Sequence, residues 1–342
     1  INFQFYNRGK KSITLSLKDP EGVDIVKRIV ADADVVVESF RPGVMKKLGL
    51  DYPQLRKLNE RLVYCSVSAY GQTGPYAGKP GYDIIAQALC GIMDMTGDPA
   101  GPPIKSGFYL GDYIGGMNAF AAITAALYYR EKTGTGQYVD VSLLENMVAM
   151  NSFIEEAFVG RDLHRTGQHH TGICPYGVFR SRSGQSAVIA APNDKLWAKV
   201  CQAIGRPELK EDERFQTAAA RIRHLDEVIE ILEDWLSGFE EIGNAVSLLE
   251  EAGVPAAKCK SARELLDDPH LLARGTVTDV EVQREITSYP HFKGRGVWLK
   301  LSETPGVPGR APGLGEHNSE ILERYGLSQE NIDRLQQKWA AK

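Results

Sequence analysis

The sequence lacks several signatures that would place it in a protein class at once. No apolar run approaches the ~18–20 residues that a membrane-spanning helix needs, and no signal-peptide pattern opens the chain. The dinucleotide-binding pattern GxGxxG, the P-loop pattern GxxxxGK[ST] and the hydrolase pattern GxSxG are all absent. The sequence therefore gives no support to nicotinamide redox chemistry, P-loop hydrolysis or α/β-hydrolase chemistry.

Basic charge and paired cysteines are also missing. With 40 Lys and Arg against 44 Asp and Glu, the net charge is −4, so no overall positive field attracts nucleic acid. The five cysteines are scattered, without a CxxC pair or a metal-like histidine spacing, which indicates neither a disulfide framework nor a zinc site. We expect a cytoplasmic protein with no metal, no membrane association and no nucleic-acid partner.

The first third of the chain alternates strand-like and helix-like stretches. Residues 12–17 alternate polar and apolar side chains, and β-branched or apolar runs follow at 35–37 and 62–68. A helix is predicted from Pro20 to Ala31 with Asp19 as its N-cap. This order predicts a parallel sheet with crossover helices. Residues 1–5 also read as part of a strand, and without an initiator Met we expect a preceding segment to be missing.

The rest of the chain continues the large domain to residue 160 and then predicts a different architecture. Helices are expected at 82–96, 113–130 and 143–159, with a strand at 138–142, before the composition shifts near Gly160. A hairpin at 176–180 and 186–190 and helices at 195–204, 225–237 and 242–252 then predict an α+β domain. A strand at 296–300 and two amphipathic helices close the chain. The predicted organisation is a large domain at 1–160, a small α+β domain at 176–275, and a linker with a return to the large domain at 276–342.

Asp112 is the residue with the clearest chemical promise. It follows Gly111 and precedes the long helix, so it is a natural N-cap, and that structural role alone could explain it. The same position favours the anionic carboxylate, which can attack an activated acyl donor such as a thioester without a general base. Gly115 and Gly116 would leave room for the ligand. Both interpretations stay open at this point.

Other segments offer weaker signals. The loop YGQTGP at 70–75 with KPGYD at 79–83 is either a cluster of turns or a ligand loop. Lysines and arginines near predicted strand ends are either solvated or positioned to bind phosphates. The histidine-rich stretch 161–172 reads as a polar lid rather than a metal site, and Glu316 could cap the helix that follows it.

These motifs together resemble the class III CoA-transferases, the family of formyl-CoA transferase and carnitine CoA-transferase. The resemblance rests on ESFRPG at 38–43, on 68–75 with GYD at 81–83, on GDYIGG at 111–116 and on PGLGEHN at 312–318. It implies a Rossmann-like large domain with a parallel sheet, a smaller α+β domain, and a homodimer of two interlocked chains. It also implies a CoA thioester as substrate and no tightly bound cofactor.

The family's functional residues fall on particular positions of this sequence. The aspartate nucleophile falls on Asp112, and the glycine loop that closes over it falls on Gly167, Gln168, His169, His170 and Gly172, where histidines replace a run of glycines. Arg or His side chains within 161–170 could bind a second carboxylate of the acceptor. The expected CoA contacts are Leu15, Lys18, Ser39, Phe40, Arg41, Lys47, Pro80, Gly81, Tyr82 and Asp83.

The implied reaction moves CoA from an acyl-CoA donor to a small carboxylic or dicarboxylic acid, such as oxalate, formate or succinate, through an aspartyl-CoA thioester. One alternative is a 2-methylacyl-CoA racemase of the same fold. The racemase histidine falls on Tyr82, however, and a phenol with a pKa near 10 is a poor base at neutral pH. The other alternative is a non-catalytic CoA-binding protein in which Asp112 is only a helix cap.

Overall fold

The computed structural model describes residues 2–161, 163–282, 291–307 and 309–340. Its helices are α1 (Asn2–Tyr6), α2 (Pro20–Asp32), α3 (Val44–Lys47), α4 (Tyr52–Leu55), α5 (Asp83–Leu89), α6 (Leu110–Thr133), α7 (Leu143–Val148), α8 (Ile154–Phe158), α9 (Asp194–Ala203), α10 (Ala218–Arg223), α11 (Leu225–Leu236), α12 (Ile242–Glu251), α13 (Ala262–Leu265), α14 (Pro269–Ala273), α15 (Asn318–Arg324) and α16 (Gln329–Ala340), with a 3₁₀ turn at Pro207–Lys210. Its strands are β1 (Val35–Glu38), β2 (Val63–Ser68), β3 (Tyr138–Ser142), β4 (Tyr176–Arg180), β5 (Ser186–Ala190), β6 (Ala256–Lys258), β7 (Val277–Glu281) and β8 (His291–Arg295).

The chain divides into two compact units that each draw on separate parts of the sequence. The first contains Ile1–Asp83, Gly111–Asn146 and Ser261–Lys342, and the second contains Ile84–Leu110 and Met147–Lys260. Within the described residues, no helix is long and apolar enough to cross a membrane. The domain boundaries that the sequence suggested at 160, 176 and 275 stay a prediction.

A parallel three-stranded sheet with helices on both faces organises the first unit. The strand order is β1-β2-β3, with Val37 paired to Cys65 and Cys65 paired to Val139. On one face, Val30 of α2 and Leu55 of α4 pack with Tyr64 of β2. On the other, Ala119 of α6 packs with Cys65 and Val141. The α/β fold with a parallel sheet, predicted from the sequence, is confirmed.

The second unit contains an antiparallel sheet covered by helices. Strands β4, β5 and β6 pair in that order, and the β4–β5 hairpin has the predicted bounds. Trp197 of α9, Leu232 of α11 and Leu249 of α12 are fully buried with Phe179 and Ile189 of the sheet. The apolar stripes of these helices supply this core.

Several sequence predictions of local structure were wrong. Residues 12–17 form no strand, because Ser12 and Thr14 make their backbone hydrogen bonds to His317 and Asn318 rather than to a neighbouring strand. Residues 2–6 are helical rather than extended, whereas Ile1 lies outside the described residues. Residues 296–300 are irregular, and the observed strands β7 and β8 precede them.

Two predicted helices are shorter than expected and one is longer. The segment 82–96 is helical only over Asp83–Leu89, and the segment 143–159 is split into α7 and α8. Glycines follow the first of these helices, and Gly91 has a φ of 86°, a conformation that favours glycine and ends a helix. Helix α6 instead begins at Leu110, before the predicted start at residue 113.

Candidate functional site

Asp112 lies in the first turn of α6, at its third residue, and does not cap the helix. The predicted N-cap role was wrong, because the buried carboxylate of Asp83 accepts a hydrogen bond from the Gly111 N–H at 2.6 Å. This satisfies one of the amide groups that a helix start leaves without an intrahelical partner. Asp112 is therefore not needed as a helix cap, and its side chain is exposed.

The electrostatic setting of Asp112 differs from the one expected. Partial desolvation by the surrounding protein, and then the negative charge of Asp83, raise the pKa of the Asp112 carboxyl. In the described part of the chain, its carboxylate has no hydrogen-bonding or ionic partner. The sequence predicted that the helix start would favour the anionic form of Asp112 and so lower its pKa. In the structure this pKa is raised instead, and a more basic carboxylate is a stronger nucleophile.

Close packing fixes the first turns of α6 against the carboxyl end of β3. A Cβ atom on Gly115 would lie 2.5 Å from Cδ2 of Leu143, the residue that follows β3. A Cβ on Gly116 would meet nothing within 4 Å. The two glycines therefore act differently: Gly115 lets the helix approach the sheet, and Gly116 leaves open space one turn beyond Asp112.

The expected ligand loop packs on the carboxyl end of β2. A Cβ on Gly81 would lie 2.5 Å from the Ala69 side chain, and the Tyr70 hydroxyl donates to the Pro80 carbonyl at 3.2 Å. Tyr82 is 75% exposed, whereas Asp83 is 8% exposed. The stretch 80–83 thus combines a closely packed backbone with the exposed ring of Tyr82. It lies at the edge where ligands bind in open α/β sheets.

The remaining predicted CoA contacts are distributed around the first unit. Ser39, Phe40 and Arg41 follow β1, and the Phe40 N–H donates to the Glu38 carboxylate at 2.8 Å. Lys18 and Lys47 are exposed, and neither they nor Arg41 form an ion pair within the described ranges. Leu15 is partly buried and packs against the cluster of Ile25 and Leu322. These assignments stay predictions.

The histidine-rich loop belongs to the second unit and is held by that unit's own residues. His164 and Arg165 both bind the Asp94 carboxylate at 2.8 Å, and the hydrogen bond from His164, followed by that from Arg165, lowers the pKa of Asp94. Both side chains therefore already have a carboxylate partner. The expectation that Arg or His in 161–170 binds a second substrate carboxylate stays a prediction.

The glycine-loop positions also have local partners. The Gly167 N–H donates to the Gly97 carbonyl, His169 bridges to Gly177, and the His170 amide donates to Tyr176. Burial lowers the pKa of His169, whose ring packs edge-on against Phe179. The backbone of Gln168 accepts from Val178, and the Gly172 N–H donates to the His170 ring. Closure of this loop over Asp112 stays a prediction.

Sequence reasoning missed a group of aromatic and basic side chains next to Asp112. The hydroxyls of Tyr113 and Tyr6 lie 2.7 Å apart, and Arg295 donates to the Tyr113 hydroxyl at 2.9 Å. Only Tyr113 could have been noticed, since it follows Asp112 directly. Tyr6 and Arg295 lie 107 and 182 positions from Tyr113 along the sequence.

The buried cysteines do not compete with Asp112 as nucleophiles. Burial raises the pKa of the Cys65, Cys174 and Cys201 thiols to about 11, so these groups are protonated at neutral pH. All five cysteines are free, and Cys259 is the exposed one. Because the thiolate is the reactive form of cysteine, the buried thiols are inert.

Comparison with known proteins agrees with this geometry. The sequence matches the profile described as CoA-transferase family III over residues 1–318. It is 37% identical to the succinyl-CoA–D-citramalate CoA-transferase of Chloroflexus aurantiacus, over 97% of this chain and 82% of that protein. It is 34% identical to the human succinyl-CoA:glutarate CoA-transferase, over 92% of this chain and 72% of that protein.

The fold comparison points in the same direction. The crystal structure of a CAIB/BAIF family protein from Brucella suis superimposes with a TM-score of 0.84 at 34% sequence identity, covering 94% of this chain and 83% of that one. The family match spans residues 1–318, and the structural match covers 94% of the chain. The chain belongs to CoA-transferase family III.

Proposed function

We propose that the chain transfers CoA from an acyl-CoA thioester to a small dicarboxylic acid, with Asp112 as the covalent nucleophile. The observation that carries the proposal is the exposed Asp112 carboxylate in the first turn of α6, unpartnered within the described residues and with a raised pKa. Asp83 performs the capping, so the non-catalytic alternative, in which Asp112 serves only as a cap, loses its basis.

The choice of substrate class follows from the relatives. The Chloroflexus and human proteins named above pair succinyl-CoA with the dicarboxylates citramalate and glutarate. An acetyl-CoA:oxalate CoA-transferase from Acetobacter aceti is 40% identical over 80% of this chain. These names support a dicarboxylate as the acceptor. They give no support to the racemase alternative.

The reaction begins at the thioester carbonyl. The Asp112 carboxylate forms a bond to the carbonyl carbon, and the CoA thiolate leaves with the electron pair of the C–S bond, giving a mixed anhydride. The thiolate then attacks the Asp112 carbonyl carbon and expels the donor acid as its carboxylate. The product of this half-reaction is an aspartyl-CoA thioester.

The second half-reaction reverses these steps with a new acid. The acceptor carboxylate attacks the aspartyl thioester and releases CoA thiolate, and the thiolate attacks the acceptor's acyl carbon, which frees the Asp112 carboxylate. Each step exchanges one activated acyl bond for another, so atoms and charge balance without a further reactant. The basic carboxylate of Asp112 serves as nucleophile first and as leaving group last.

Binding of CoA is proposed at the carboxyl edge of the parallel sheet. The exposed Phe40 and Tyr82 rings offer apolar faces for the adenine or the pantetheine arm, and Lys18, Arg41 and Lys47 offer charges for phosphates. The family resemblance assigns these positions to CoA, and the absence of competing ion pairs among the described residues leaves these three cations available.

We also propose that two chains form a homodimer. Met117, Phe120 and Tyr128 on α6 are more than 60% exposed in the single chain. Large apolar side chains grouped on one helix usually mark a surface that a partner covers. The family resemblance implies that the partner is a second copy of the same chain.

The substitution Asp112→Ala tests the catalytic proposal. We expect transfer from succinyl-CoA to glutarate to fall by at least about a thousandfold, because no other group can form the anhydride. Calorimetric affinity for CoA should stay within about threefold of wild type, since Asp112 contacts the acyl end. The matched control, Asp24→Ala on the exposed surface of α2, should leave transfer unchanged. Undiminished transfer by Asp112→Ala would refute the assignment.

A further inference from the structure

Arg295 and Arg8 form a pair of neighbouring positive charges in the first unit. The Arg8 guanidinium donates to the Arg295 carbonyl oxygen. Burial, and then the charge of Arg295, lower the pKa of Arg8. Within the described ranges neither arginine has a carboxylate partner. Two neighbouring guanidinium groups without an anion are costly, and a bound anion would relieve the repulsion.

Arg295 is positioned by its neighbours. Its guanidinium carbon lies 3.4 Å from the centroid of the Phe5 ring, and one of its nitrogens donates to the Tyr113 hydroxyl. Stacking on an aromatic face leaves the edge of the planar guanidinium available for a two-point contact with a carboxylate. The side chain is exposed, so an incoming ligand can reach it.

The cluster lies beside the proposed nucleophile. Tyr113 follows Asp112 in the first turn of α6, and its hydroxyl is the group that Arg295 binds. Hydrogen bonds with Tyr113 and Arg295 lower the pKa of Tyr6, whereas the negative charge of Asp112 raises it. The negative charge of Asp112 therefore acts on Tyr6, which contacts the Tyr113 hydroxyl to which Arg295 donates.

We propose that Arg295, held by Tyr113 and Phe5 and assisted by Arg8, binds the distal carboxylate of a dicarboxylic acyl group while Asp112 reacts at the other end. The inference rests on the proposed function and adds the residues that select the substrate. The phosphates of CoA are separated from the thioester by the long pantetheine arm, so a cation bound to the first turn of α6 through Tyr113 is placed for the acyl group rather than for the phosphates. Donor and acceptor use the same position in turn.

Calorimetry tests the inference without relying on turnover. In a background of Asp112→Asn, which cannot form the anhydride, Arg295→Met should weaken binding of succinyl-CoA by roughly 10- to 100-fold. Binding of acetyl-CoA and of CoA, which lack the distal carboxylate, should change by less than about threefold. Arg295→Lys should recover only part of the loss, because an ammonium lacks the planar fork.

The control is Arg28→Met, which removes an exposed arginine of α2 that pairs with Asp24 and should alter none of the three affinities. An equal loss for succinyl-CoA, acetyl-CoA and CoA would assign Arg295 to CoA itself or to folding and overturn the inference. An unchanged affinity for succinyl-CoA would also overturn it. Failure of the proposed function would show separately, as wild-type protein that transfers no CoA between succinyl-CoA and glutarate.

Discussion

At the scale of single residues, two neighbouring carboxylates divide two tasks. Asp83 is buried and holds the start of α6 through the Gly111 N–H, whereas Asp112 is exposed and faces no protein partner among the described residues. The charge of Asp83 contributes to the raised pKa of Asp112. A structural carboxylate therefore also tunes a reactive one, because like charges close together disfavour ionisation of the second group.

Asp83→Asn should shift the pH dependence of the reaction. The amide oxygen can still accept from Gly111, but without the negative charge the pKa of Asp112 falls. The acid limb of kcat/KM for the donor, which reports ionisation of the free enzyme, should move to lower pH. Asp24→Asn, a change on the surface of α2, should leave the limb in place. A limb that stays or moves to higher pH in Asp83→Asn would contradict the role given to Asp83.

The residues around the site show where sequence reasoning stops. Asp112 could be identified because its neighbours form a local motif, but the cap of its helix comes from Asp83, 28 positions before Gly111. Arg295 reaches Tyr113 from 182 positions away. No pattern of a few residues encodes such contacts, since the fold alone brings these segments together.

At the scale of elements, the contact of α6 with β3 determines where Asp112 lies. Gly115 permits this contact, and the open side of the same turn lies at Gly116. Asp112 lies in the first turn of this helix, within one turn of Gly115. A shift of the first turns relative to β3 would therefore displace the nucleophile. Small changes at Gly115 should therefore affect both stability and catalysis.

A matched pair of substitutions tests this contact. Gly115→Val would drive a branched side chain into Leu143, and overpacking of this kind lowers the free energy of unfolding by about 1–3 kcal/mol. Gly116→Val meets open space and should change it by less than about 0.5 kcal/mol. Urea unfolding measures the free energy of unfolding of both variants. Equal effects on stability would show that Gly115 is not a packing glycine.

Elements whose pattern is local could be predicted, and elements completed by distant partners could not. The runs at 35–37, 62–68 and 138–142 predicted the strands of the parallel sheet, because buried strands are rich in apolar and β-branched residues. Residues 12–17 have the same alternation but bind the start of α15. There Asn318, 304 positions after Thr14, donates to the Thr14 hydroxyl and accepts from its amide, each at 2.8 Å. Alternation shows that a segment is extended and half buried, not what it pairs with.

At the scale of the whole molecule, the exposed apolar side chains of α6 support the proposal that a second chain covers them. A single chain that left Met117, Phe120 and Tyr128 in water would gain by covering them, since burial of apolar surface contributes about 25 cal/mol per Å². We expect light scattering to give a mass about twice the 37.7 kDa of the chain, independent of dilution through the micromolar range. A monomeric mass at these concentrations would contradict the proposed homodimer.

The central claim is that Asp112 carries the transferred group as a covalent intermediate. Wild-type protein mixed with succinyl-CoA and quenched with hydroxylamine, without an acceptor, would be digested and its peptides examined by mass spectrometry. We expect a hydroxamate on Asp112 in the peptide that contains α6, and no such product in Asp112→Asn. A hydroxamate on another residue, or continued CoA transfer by Asp112→Asn, would contradict it.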